Sequence, residues 1–99
     1  MSDQVAVLKL VAAKLDSAGI PYMLSGSVAM NFYAQPRMTR DIDIVLELAA
    51  RDAPRIQKMF AEDFYVDEAD VRDSITARSM FNIIHNATVV KVDFIVRKD

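Results

Sequence analysis

Two short stretches carry the residue types that could do chemistry. In Asp41-Ile42-Asp43-Ile44, running into Val45 and Leu46, polar and apolar residues alternate strictly. As a strand this presents two carboxylates on one face and two isoleucines on the other. Carboxylates held side by side repel unless a positive charge sits between them, and a divalent metal is the usual answer. The second stretch, Gly26-Ser27, lies between the apolar runs Ile20 to Leu24 and Val28 to Ala34. A strand there feeds a helix through a small turn, and free amides at a helix start attract anions. A phosphate cradle beside a metal site points to nucleotide chemistry. An ordinary strand-to-helix turn has the same composition, so Gly-Ser alone decides nothing.

Further charged groups cluster near these two stretches in sequence. Arg37-Met38-Thr39-Arg40 leads straight into the aspartates. Its guanidinium groups suit phosphate, and they suit equally well a solvated loop that balances Asp41 and Asp43. Much later, Lys91-Val92-Asp93-Phe94-Ile95-Val96 embeds an acid in an apolar strand. Acids are depleted in strands and costly to bury unpaired, so a third metal ligand would account for Asp93. A salt bridge to Lys91 or an exposed edge position would account for it too. Lys91 alternates with Asp93 and is a candidate phosphate contact. His85, the only histidine, sits at a strand end beside a turn, a setting that favours a hydrogen-bonded structural role. No serine has the partners that a nucleophilic triad needs.

The elements that must position these groups follow from periodicity. Val5, Leu8, Ala12 and Leu15 fall at helical spacing, and Gly19 with Pro21 ends that helix. Ile20 to Leu24 is a short strand, and a helix from about Val28 ends at Pro36. After Leu48 a helix with Asp52 as N-cap, Pro54 in its first turn and an Ile56, Met59, Phe60 stripe should cover one face of the sheet. Phe64 to Val66 is β-prone, and Asp67 to Arg78 carries a thin helical stripe with Arg72 and Arg78 in reach of solvent or nucleotide. Met80 to His85 and Thr88 to Val96 form an antiparallel hairpin around Asn86-Ala87.

Composition limits the alternatives. A chain of 99 residues with 53% hydrophobic content makes one domain around one core. The absence of Cys removes disulfides, thiolate catalysis and cysteine-based zinc sites, leaving metals held by oxygen. With 12 basic and 14 acidic residues the net charge is -2, and reserving three acids for a metal leaves the remaining surface nearly neutral. A polynucleotide partner is neither favoured nor excluded. No apolar run approaches a membrane span and the N-terminus lacks a signal-peptide pattern, so a soluble, cytoplasmic protein with no membrane partner is expected.

Gly26-Ser27, then Asp41-Ile42-Asp43 preceded by Arg37 and Thr39, then Asp93 in a late apolar strand, resembles the DNA polymerase β-like nucleotidyltransferase superfamily. The Arg-x-Thr-x-Asp-Ile-Asp run and the Phe81-Asn82-Ile83-Ile84-His85 strand are most similar to its small bacterial branch, which includes AbiEii-type toxin nucleotidyltransferases. The likeness runs from about Ile20 to Val96, and its specificity lies in the ordered combination. It implies an α+β, two-layer fold with a mixed sheet backed by helices. It implies an enzyme that uses Mg²⁺, with Mn²⁺ as the alternative ion, to move a nucleoside monophosphate from a nucleoside triphosphate to an acceptor hydroxyl on RNA or tRNA, a protein or a small molecule. Asp41, Asp43 and Asp93 would hold the metals, and Gly26, Ser27, Arg37, Arg40 and Lys91 would contact the nucleotide. Family members continue past the third carboxylate into further helices, so residues 1–99 are expected to be one domain lacking its C-terminal helices. The competing expectation is a non-catalytic binding domain of the same fold, for instance one component of a toxin-antitoxin pair with a cognate partner.

Overall fold

The computed structural model describes residues 3–24 and 41–97. Their elements are helix α1 (Asp3–Ala18), strands β1 (Tyr22–Leu24) and β2 (Asp41–Leu46), a 3-10 turn (Ala50–Asp52), helix α2 (Ala53–Phe60), strand β3 (Phe64–Tyr65), helix α3 (Glu68–Ala77), and strands β4 (Met80–His85) and β5 (Lys91–Val96). The sheet has five strands in the order β1-β2-β5-β4-β3. Among the described residues only β2 and β5 run parallel; the other neighbours are antiparallel. This is the expected mixed sheet.

One face of the sheet is covered. Ile42, Ile44 and Leu46 of β2, Val92, Phe94 and Val96 of β5, and Phe81 and Ile83 of β4 join side chains from all three helices in a single buried cluster. Each of these three strands therefore gives alternate residues to the core, and the intervening ones point to the other side. Among the described residues the helices are segregated to one face of the sheet.

Local chemistry explains the boundaries. Gly19 ends α1 with a φ of +70°, a left-handed conformation suited to glycine. The buried stripe of α1 is Gln4, Val7, Val11 and Leu15, not Val5, Leu8, Ala12 and Leu15. The helix is apolar on several sides, so two stripes satisfy the spacing and only docking chooses between them. Asp52 does not cap α2 with its side chain; it accepts from the Ala49 amide at 2.8 Å and pairs with Arg55 at 3.1 Å. Asp67, in contrast, caps α3 by accepting from Ala69 and Asp70.

The β4–β5 connection is longer than expected, and β5 starts at Lys91 rather than Thr88. Val89 adopts a φ of 63°, which takes it out of the strand, and its amide donates to the His85 carbonyl at 2.8 Å. The Thr88 hydroxyl lies 2.8 Å from His85 Nδ1 and accepts from the Val90 amide at 3.3 Å. His85 also packs edge-on against Phe64. The histidine is a structural residue of this turn.

Candidate functional site

Parallel pairing of β2 with β5 brings together carboxylates that are about fifty residues apart. Asp43 lies opposite Asp93, and Asp41 opposite Lys91. Residues paired across a ladder share a face, so all four sit on the face away from the core. Asn82 of β4 adjoins Asp93 on its other side and is exposed. The sequence reading passed over Asn82, although the alternation of Met80, Asn82 and Ile84 with buried Phe81 and Ile83 was the available signal.

Asp93 is the most enclosed of these groups, with 9% of the residue exposed. It is not on an edge, because β2 and β4 flank β5 on both sides. Its Oδ1 is buried without a hydrogen-bond partner. The nearest positive charge is Lys91, whose Nζ stands 3.8 Å from Asp93 Oδ1 and 3.7 Å from Asp41 Oδ2. The salt-bridge alternative for Asp93 is therefore realised, and Asp41 shares the same lysine.

Burial pushes the Asp93 carboxyl above the usual aspartate range; Lys91 opposes this, while the charges of Asp41 and Asp43 and a hydrogen bond with Asp43 add to it. The folded chain thus holds this proton more tightly than the unfolded chain, whose aspartate titrates near ~3.9. Between that value and the raised folded one, stability falls as pH rises, and the loss is complete above the folded pKa. In metal-free buffer Asp93→Asn should melt above wild type at neutral pH, with the gap closing toward pH ~4. Thermal melts of both proteins in EDTA across this range check it; identical melting temperatures throughout would mean that the carboxylate is not desolvated.

Among the described residues, no group of three His, Cys, Asp or Glu side chains forms a ready-made metal cage. The nearby donors are nevertheless all oxygens, one oxygen of Asp93 is unbonded, and an ammonium group is already held beside Asp41 and Asp93. Such a set fits Mg²⁺, which uses one or two carboxylates and takes its other ligands from water and substrate phosphate. Gly26, Ser27, Arg37 and Arg40 lie outside the described residues. Arg72 pairs with Glu68 on its own helix, and Arg78 donates to the Arg97 carbonyl at 3.2 Å, so neither is brought to the aspartates.

A family model described as aminoglycoside-2''-adenylyltransferase matches residues 7–96. The chain belongs to this family. The aminoglycoside-2''-adenylyltransferase match spans the strands carrying Asp41, Asp43 and Asp93 and ends with the last residue of β5. Membership makes the chain a nucleotidyltransferase-type protein. No curated protein and no solved structure matches it significantly. Among the described residues, no helix is long and apolar enough to cross a membrane.

Proposed function

We propose that this protein transfers a nucleoside monophosphate, by preference AMP, from a nucleoside triphosphate to a hydroxyl of a small cationic acceptor, with Mg²⁺ or Mn²⁺ as cofactor. The observation that carries the reading is the register of Asp43 against Asp93, with Asp41 and Lys91 paired one alternation away on the same face. The acceptor class rests on the family's printed description, since aminoglycosides are hydroxylated polycations. A face bearing three aspartates complements such charge.

The residues have distinct tasks. Asp41 and Asp43 would hold the cofactor, which would neutralise phosphate charge and acidify the attacking hydroxyl. Asp93, whose burial favours proton uptake, stands where it can hold the hydroxyl proton as the acceptor oxygen attacks the α-phosphorus and pyrophosphate leaves. Lys91 pairs with Asp41 and Asp93 and would be released to contact the triphosphate if a cofactor held those carboxylates. Gly26, Ser27, Arg37 and Arg40 are the proposed contacts for the rest of the triphosphate.

The lysine exchange has a measurable consequence. Lys91→Gln removes a competing cation, and an exposed ion pair is worth up to ~1 kcal/mol, so Mn²⁺ affinity without nucleotide should rise about fivefold. Wild-type protein should bind Mn²⁺ more tightly when a nonhydrolysable nucleotide is present, and the variant should lose part of that gain. Calorimetry on both proteins, with and without nucleotide, decides it. Unchanged affinities in the variant would count against the exchange.

Activity is tested by incubating the full-length protein with each radiolabelled nucleoside triphosphate, Mg²⁺, and either an aminoglycoside panel or cell extract. Label on an aminoglycoside supports the favoured acceptor. Label on RNA or protein instead would favour the AbiEii-like reading, with its toxin-antitoxin context and cognate partner. No labelled product from any mixture would favour a non-catalytic binding domain.

A further inference from the structure

The opposite end of the same two strands is basic rather than acidic. Beyond Leu46 and Val96 a cavity of about 330 Å³ is lined by Arg51, Arg55, Arg78 and Arg97 together with Glu47 and Asp52. Four guanidinium groups face two carboxylates, an excess of positive charge on a chain whose net charge is -2. Glu47 is four residue steps from Asp43, and Arg97 four from Asp93, so at ~3.3 Å per step the cleft begins about 13 Å from the aspartates.

Three of the arginines are held in place by the backbone or by short ion pairs. Arg55 donates to the Ala18 carbonyl at 2.6 Å and to Asp52 at 3.1 Å. Arg78 donates to the Arg97 carbonyl at 3.2 Å, and Arg97 to Glu47 at 2.6 Å. These bonds use one or two of the five N–H donors of each guanidinium, so each fork is positioned while most of its donors remain available. The Arg51 side chain makes no hydrogen bond or ion pair among the described residues. Arg78 is also placed unusually: it closes α3 in the left-handed conformation, with a φ of 54°, where glycine or asparagine is the common choice.

We propose that this cleft binds a small phosphate-bearing ligand, at a site separate from the aspartates. Planar guanidinium forks match phosphate oxygens bidentately, and several converging forks favour an anion with more than one charge. The volume lies at the lower end of the range for small-molecule sites, which suits a compact phosphorylated molecule. The same charge repels a polycationic acceptor, so the two ends of the β2–β5 pair would sort ligands by sign.

The test uses the full chain freed of divalent ions on a chelating resin, so that no divalent ion draws phosphate to the aspartates. Pyrophosphate is titrated while the arginine side-chain N–H resonances are followed, with citrate as a carboxylate control and Arg51→Ala as the variant, since Arg51 supports no other residue. The expected result is saturable shifts at Arg51, Arg55, Arg78 and Arg97, weakened at least fivefold by Arg51→Ala and unaffected by Asp43→Asn. Absence of saturable shifts, equal affinity in Arg51→Ala, or tighter binding of citrate than of pyrophosphate would each overturn the proposal. Saturable shifts that spare Arg51 and Arg97 would also overturn it, by placing the pyrophosphate elsewhere on the chain.

Discussion

Asp41→Asn and Asp43→Asn should each abolish nucleotidyl transfer by several orders of magnitude while leaving the chain folded. Each substitution keeps the side chain's size and removes the charge that would hold the cofactor. Metal stabilisation of a phosphoryl transition state is worth several kcal/mol, and each ~1.4 kcal/mol is tenfold in rate. Folding should survive because both residues lie on the face away from the core, while their neighbours Ile42 and Ile44 carry the core contacts. Relieving repulsion among like charges can even raise the melting temperature of the metal-free protein. The measurements are initial rates of transfer and thermal melts on the same preparations. Ser27→Ala serves as the milder comparison, on the order of 1 kcal/mol, because neighbouring backbone amides would still hold the phosphate. Near-normal transfer in either Asn variant, or unfolding of both, would make the aspartates structural and leave the binding-domain reading standing.

One residue along from Asp93 the expectation reverses. Phe94→Ala should destabilise the fold by about 3–5 kcal/mol, a large part of the ~5–15 kcal/mol typical of a whole domain. Phe94 is fully buried on a central strand, and its ring centroid lies 5.2 Å from that of Phe81 and 5.7 Å from that of Phe60. It thereby joins β5 to β4 and to α2, and truncation leaves a cavity that neither partner can close alone. Urea titration followed by circular dichroism measures the loss. A change below ~1 kcal/mol would mean that the core relaxes around the gap. The contrast with Asp93→Asn is the informative part: adjacent residues on opposite faces should separate stability from chemistry.

Alternation made much of this arrangement legible before any coordinates. Asp41-Ile42-Asp43-Ile44 announced a strand with one wet and one buried face, and β2 has that burial pattern. The helix stop at Gly19, the strand at Met80 to His85 and the α2 stripe of Ile56 and Phe60 were readable for the same reason, since their signals lie within a few residues of the sequence. The two-layer α+β class followed from counting such elements, and the nucleotidyltransferase likeness from the order of the motifs.

Long-range pairing decided the rest. Nothing local to Lys91-Val92-Asp93 states that β5 lies between β2 and β4, so whether Asp93 was an edge acid, a salt-bridge partner or part of a carboxylate group stayed open in the sequence. The parallel register settles its position: Asp43 stands opposite Asp93, and Lys91 reaches Asp41 as well as its own strand neighbour. Docking likewise selected the Val7, Val11, Leu15 stripe of α1, because a helix apolar on several sides can bury more than one of them. The arginine cleft was least visible of all. Its four guanidinium groups come from three stretches of chain, Arg51 with Arg55, then Arg78, then Arg97, and stretches that far apart become one electrostatic site only when the sheet brings the ends of β2 and β5 together.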